Sequence, residues 1–266
     1  MKLKVLADNN TFIDMYYLGE PAVSYYIEDG NDRILFDVGY SDVFMRNAKK
    51  MNINLNKINK LVISHGHDDH TGGLKYFFKD KHNVELFSHP ESFNYKEIDG
   101  LCISSPLSKE ELSRVCNLCL TKDPVRISEH ITYLGEIPLL NSFEKRNIIG
   151  TTIINDENKE DTVEEDSAIV YKSDKGLFII TGCSHSGICN IIEYAKMVCN
   201  ETKIYGVIGG FHLFENNEQL QKTIKYFIDN NIELLYPCHC VSLNAKVEIA
   251  KQLKINEVGV GLEIEI

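Results

Sequence analysis

The 266-residue chain has no run of about 18 apolar residues, the length a helix needs to cross a bilayer. It has no basic surplus either: 28 Lys and Arg stand against 39 Asp and Glu, a formal net charge of −11 at pH 7. A broad grip on a phosphate backbone relies on Lys and Arg to release counterions, so this balance argues against a nucleic-acid partner. Met1-Lys2-Leu3-Lys4-Val5-Leu6 turns polar at Asp8-Asn9-Asn10, too soon for a secretory leader. The 8 cysteines are scattered behind that start, which favours reduced thiols over disulfides and a cytoplasmic location. Cys116-x-x-Cys119 reads as helix packing before it reads as a zinc or redox pair. No internal repeat or low-complexity linker divides the chain, so residues 1–266 are expected to form a single domain.

What the chain does have is His65-Gly66-His67-Asp68-Asp69-His70, directly after the apolar run Leu61-Val62-Ile63. In extended backbone His65 and His67 leave on the same face and can reach one ion. Asp69 and His70 lie beyond the turn and can reach a second. Imidazole and carboxylate together suit zinc, iron or manganese. The bland alternative is a solvated polar loop, which would gain nothing from crowding three histidines.

Three later apolar runs end the same way. Leu177–Thr181 leads into Gly182-Cys183-Ser184-His185-Ser186-Gly187, Ile204–Ile208 into Gly209-Gly210-Phe211-His212, and Ile232–Tyr236 into Pro237-Cys238-His239-Cys240. Four strands thus deliver histidines at their C-terminal ends, where open α/β sheets bind ligands. His212 could be a ligand, a general acid for a leaving group, or a hydrogen-bond donor to substrate phosphate, and the last two are favoured. Asp8 and Asn9 could support the same pocket. His89 follows the strand Val84–Ser88 and is more readily a packed residue than a pocket residue.

His-x-His-x-Asp-His followed by Thr71-Gly72-Gly73 resembles the metallo-β-lactamase superfamily. Ile34-Leu35-Phe36-Asp37-Val38-Gly39 resembles the strand that precedes the motif there, with Asp37 a support residue and not a ligand. The set HGHDDHTGG, TGCSHSG, GGFHL and PCHC is similar to one branch. That branch holds an archaeal enzyme of methanopterin biosynthesis, the dihydropterin ribofuranosyl-aminobenzene phosphate synthase, and bacterial metal-dependent hydrolases. The resemblance thins between about residues 90 and 166.

The resemblance implies an α/β (α+β) fold, a four-layer αββα sandwich. It also implies two divalent ions, zinc first with manganese or iron compatible. By motif position His65, His67 and His185 would hold one ion, and Asp69, His70 and His239 the other. Cys183 is a departure, standing where many relatives carry a bridging aspartate. It can be a thiolate ligand, and is counted among the metal residues here, or a packed bystander beside His185. TGCSHSG matches either the third histidine motif or the aspartate motif. Asp69 and His212 are the expected catalytic residues.

Periodicity places strands at Lys4–Ala7, Ala22–Glu28, Arg33–Asp37 and Ser167–Tyr171, and a last one near Val258–Ile266. Helices are expected at Val43–Met51, Gly73–Phe78, Ile188–Val198 and Glu218–Asp229. Another is expected at Ser108–Leu120, opened by Ser108 with Glu111 at the capping-box position. The acidic stretch Asn155–Asp166 reads as a solvated loop.

The expected activity is metal-dependent hydrolysis, by metal-bound hydroxide, of a small phosphorylated or ester-bearing metabolite. A pterin-pathway condensing enzyme that releases pyrophosphate is the alternative, and a non-catalytic metal sensor is the third reading. Each takes a small molecule or an ion as its partner, with no nucleic acid and no membrane.

Overall fold

In the computed structural model, residues 1–79 and 83–266 are described. Two large sheets face each other. The first has seven strands in the order Glu263–Glu265, Lys2–Ala7, Ser24–Asp29, Asp32–Phe36, Lys60–Val62, Glu85–Ser88, Asn117–Leu120. Its first pairings are antiparallel and those from Asp32–Phe36 onward are parallel. The second has six strands in the order Leu234–Pro237, Ile204–Gly209, Gly176–Thr181, Ala168–Ser173, Ile131–Tyr133, Val125–Arg126, with Gly176–Thr181, Ile204–Gly209 and Leu234–Pro237 parallel.

Alternation along the strands explains the layering, because residues two apart share a face. Val5, Tyr25, Ile27, Ile34 and Phe36 of the first sheet meet Tyr133, Ile169, Phe178 and Ile180 of the second in one buried cluster. The opposite face of the first sheet packs Leu35 and Leu61 against Phe44 and Ala48 of the helix Val43–Lys50. The outer face of the second sheet buries Ile179 and Val207 under the helices Ile188–Cys199, Glu218–Asp229 and Leu243–Ala250. The result is the expected αββα order.

Glu218–Asp229 shows how the local sequence does this. Asn217 accepts a hydrogen bond from the Leu220 backbone N–H as the N-cap, and Leu220, Thr223, Ile224 and Phe227 form one buried stripe. Each large apolar side chain so buried contributes roughly 1.5–3 kcal/mol.

Residues 90–166 differ from the sequence expectation. A third sheet, in the order Glu157–Asp161, Gly150–Ile154, Lys96–Ile98, Leu101–Cys102, forms there. The capping box of Ser108 and Glu111 is present, but the helix covers only Lys109–Leu112. Beyond it Asn117–Leu120 pairs parallel to Glu85–Ser88, so Cys119 lies in a strand. The acidic stretch is only partly a solvated loop: Glu157–Asp161 is a strand, and Asp161, Glu165 and Asp166 are buried. No helix among the described residues is long and apolar enough to cross a membrane.

Candidate metal centre

Loops at the C-terminal ends of parallel strands from both sheets meet at one edge of the sandwich. Lys60–Val62 leads to His65, His67, Asp69 and His70; Gly176–Thr181 to Cys183 and His185; Ile204–Gly209 to His212; Leu234–Pro237 to His239. Ser184, His212 and His239 sit at positive φ (61°, 49° and 50°), a conformation that costs a non-glycine residue roughly 1–3 kcal/mol. At Gly182 a Cβ would stand 2.3 Å from Ser64 Oγ, so the close approach of the two loops requires glycine there.

The ligand-type atoms fall into two groups, each within 4.8 Å: His65, His67 and His185, and Asp69, His70, Cys183 and His239. In the first, His65 Nε2 and His67 Nδ1 are 3.1 Å apart, and the His185 ring centroid lies 4.8 Å from that of His65. In the second, His70 Nε2 is 3.2 Å from Cys183 Sγ and 3.4 Å from Asp69 Oδ2, which is itself 3.2 Å from His239 Nε2. The groups adjoin, with the His65 and His70 rings 4.1 Å apart.

Supporting contacts fix these rings. Asp37, at φ 52°, accepts from the Ser64 N–H and O–H and lies 2.7 Å from His70 Nδ1. That is the supporting role expected of it, and Ser64 Oγ also reaches His65 Nδ1 at 3.0 Å. Asp8 accepts from the His239 N–H, and Asn9 Oδ1 pairs with His239 Nδ1 at 3.0 Å.

The charges explain the titration. Burial, and then the His70 and His67 rings, push His65 well below the ordinary histidine value. Burial also opposes charge on His70, but Asp69 and Asp37 outweigh it and hold that ring well above the ordinary value. Burial likewise works against the Asp69 carboxylate, and His70 and His239 reverse this and keep it ionised.

The donor set fits divalent metal. His185 Nε2 and His239 Nε2 are buried without a hydrogen-bond partner, and a buried imidazole nitrogen left bare is costly unless something accepts its lone pair. The His239 nitrogen lies near Asp69 but out of hydrogen-bond alignment. Three imidazoles on one side, and imidazole, carboxylate and thiol on the other, suit zinc, iron or manganese.

His212 belongs to neither group. Its ring lies 4.4 Å from that of His185 and opens on a recess of about 200 Å³ lined also by Asn147, Phe214, Glu215, Asn217 and Gln219. His89 is elsewhere, paired with Glu136 at 3.2 Å. Sequence reasoning missed Ser64, which donates to Asp37 and contacts His65, and the buried Lys96, Asp161 and Glu165 near His67, which come together from far apart in sequence. No local pattern marks them.

A family model described as the metallo-β-lactamase superfamily matches residues 18–239. The chain is 30% identical over 270 residues to the 7,8-dihydropterin-6-methyl-4-(β-D-ribofuranosyl)-aminobenzene-5'-phosphate synthase of Methanocaldococcus jannaschii, covering 96% of this chain and 92% of that one. A crystal structure of a metal-dependent hydrolase of the β-lactamase superfamily superposes with a TM-score of 0.86 at 30% identity, covering 100% of this chain and 99% of the other. Zinc-bound PqqB from Methylobacterium extorquens, at 10% identity and a TM-score of 0.61 over 100% of both chains, shares the fold alone.

Proposed function

The chain belongs to the metallo-β-lactamase superfamily, and on that footing we propose that it is a metal-dependent hydrolase of a small phosphorylated or ester-bearing metabolite. The observation that carries this reading is the pair of adjoining ligand groups around His65 and His70. In this reading His65, His67 and His185 hold one divalent ion, and Asp69, His70, Cys183 and His239 hold a second, zinc being the first choice. Bound ions supply Lewis acidity and bring the ionisation of water toward neutral pH.

The protein's own groups do the rest. Asp69, kept ionised by His70 and His239, can accept a hydrogen bond from a water and so orient it for attack. Burial, with the His67 ring next in effect, holds His212 down at about 4. At neutral pH His212 is therefore an uncharged imidazole, suited to donate a hydrogen bond to a substrate oxygen. The loops exclude water from His65 and His70, both fully buried, which strengthens every electrostatic contact among them. The reading has the chain working as one domain, in the cytoplasm, on a small molecule and not on nucleic acid or membrane.

The synthase relative, matched over nearly the whole chain, favours a second reading: a pterin-pathway condensing enzyme that releases pyrophosphate. One assay separates the two. Zinc-loaded protein is given a pterin pyrophosphate with and without an aryl amine co-substrate, beside a panel of phosphate and carboxylate esters. Turnover by water alone supports hydrolysis, and consumption only with the amine supports condensation. Tight metal binding with no turnover above free zinc marks a sensor.

A further inference from the structure

Behind His67 lies a set of buried charges to which the reaction above gives no role. Lys96 Nζ contacts Asp161 Oδ1 and Oδ2 at 2.8 and 2.9 Å and Glu165 Oε1 at 2.9 Å, and all three side chains are at most 3% exposed. Asp161 Oδ2 reaches toward the active centre and stands 3.5 Å from His67 Nε2, a buried nitrogen with no aligned hydrogen-bond partner. Glu165 accepts from the Gly66 N–H at 3.3 Å, and a Cβ at Gly66 would lie 2.2 Å from Ser92 O.

Such a cluster is expensive to bury, and apolar residues of the same volume often serve stability as well or better. Its backbone is strained too. Val163, a buried β-branched residue at φ 53°, donates its N–H to Asp161 Oδ1 and turns the chain so that Glu165 returns to Lys96. The residues just after the strand Leu101–Cys102 also hold the backbone of the motif: the Asp68 N–H donates to Ile103 O, and His67 bridges to Ser104.

The geometry points to Asp161, clamped by Lys96, as the positioning residue for His67, holding its Nε2–H so that Nδ1 faces the first ligand group. Nδ1 already lies 3.1 Å from His65 Nε2, so the two rings converge on one point. A carboxylate behind a ligating imidazole fixes the tautomer and raises ligand basicity. Lys96 holds that carboxylate in place, and the Glu165 contacts hold Lys96. The divergent segment, remote from the histidine motif in sequence, thereby sets the affinity of the first group. This inference rests on the metal-binding reading above.

Zinc affinity of the full chain, measured by competition with a chromophoric chelator, tests it. Asp161→Asn and Lys96→Met are expected to weaken one zinc roughly 10- to 100-fold while the other binds as in wild type. Glu160→Gln, an exposed neighbour, is expected to match wild type. Variants that fold, by circular dichroism, and bind both zinc ions as tightly as wild type overturn the inference. Should the variants fail to fold, the long-range ¹⁵N–¹H spectrum of zinc-loaded wild type decides. Protonated Nε2 on His67 supports the inference, and zinc on Nε2 overturns it. Wild type that binds no zinc sinks the metal reading itself and this inference with it.

Discussion

His70 Nδ1 stands 2.7 Å from Asp37 Oδ2, with both side chains fully buried. The contact joins the residue after the strand Asp32–Phe36 to the second ligand group, so Asp37 sets the direction in which His70 Nε2 points. Asp37→Ala takes the carboxylate from His70 Nδ1 and from the Ser64 N–H, at about 1–3 kcal/mol for each group so orphaned, while Ser64 Oγ keeps its contact with His65 Nδ1. The expected result is a lower melting temperature and a roughly 10- to 100-fold weaker affinity for one zinc, read by thermal melts and chelator competition. Unchanged affinity would remove Asp37 from the support of the centre.

His67 and His212 should behave differently. His67→Ala is expected to lower bound metal and abolish turnover together. His212→Ala should leave metal content near wild type and reduce turnover or substrate affinity. Equal metal loss in the two variants would put His212 among the ligands.

Asp166 provides a pH signature in chelator-treated protein. Burial lifts its carboxyl from 3.8 to about 7, although it accepts a hydrogen bond from the Ser186 N–H. The folded state therefore holds the proton more tightly than the unfolded state. The stabilisation is complete below pH 3.8 and is lost as pH rises toward 7, by at most about 4 kcal/mol. Denaturant unfolding between these limits should show that decline in wild type and a flatter profile in Asp166→Asn. Parallel profiles would refute the assignment.

Phe227 links packing to the site. It is fully buried and packs edge-on against Phe211, the residue before His212, with ring centroids 5.7 Å apart. Phe227→Ala is expected to cost about 3–5 kcal/mol in chemical denaturation. A loss below about 1 kcal/mol would show that the outer helices contribute little to holding this loop.

The histidine motifs were legible because each is local: a periodic apolar strand followed at once by its ligand-type residues, with small residues where loops approach. Asp37 was legible as a support only through the resemblance of Ile34–Gly39 to the strand that precedes the histidine motif in the superfamily. The accessory sheet was not. Three of its four strands, Lys-Glu-Ile, Leu-Cys and Glu-Asn-Lys-Glu-Asp, carry little apolar alternation, and the pairing of Lys96–Ile98 with Gly150–Ile154 that joins its halves is between partners far apart in sequence. Asp161 and Glu165 looked solvated because acidic residues usually are. Lys96, 65 residues from Asp161, supplies the positive charge that offsets their burial. Ser108 and Glu111 correctly opened a helix, yet pairing with Glu85–Ser88 drew Asn117–Leu120 into a strand, a tertiary contact overriding local propensity.

The central claim is two adjoining metal sites, with Cys183 a ligand of the second. Elemental analysis of zinc-loaded wild type and Cys183→Ala tests it most directly. The account predicts close to two ions per chain in wild type and loss of one in the variant. One ion or none in wild type would contradict it.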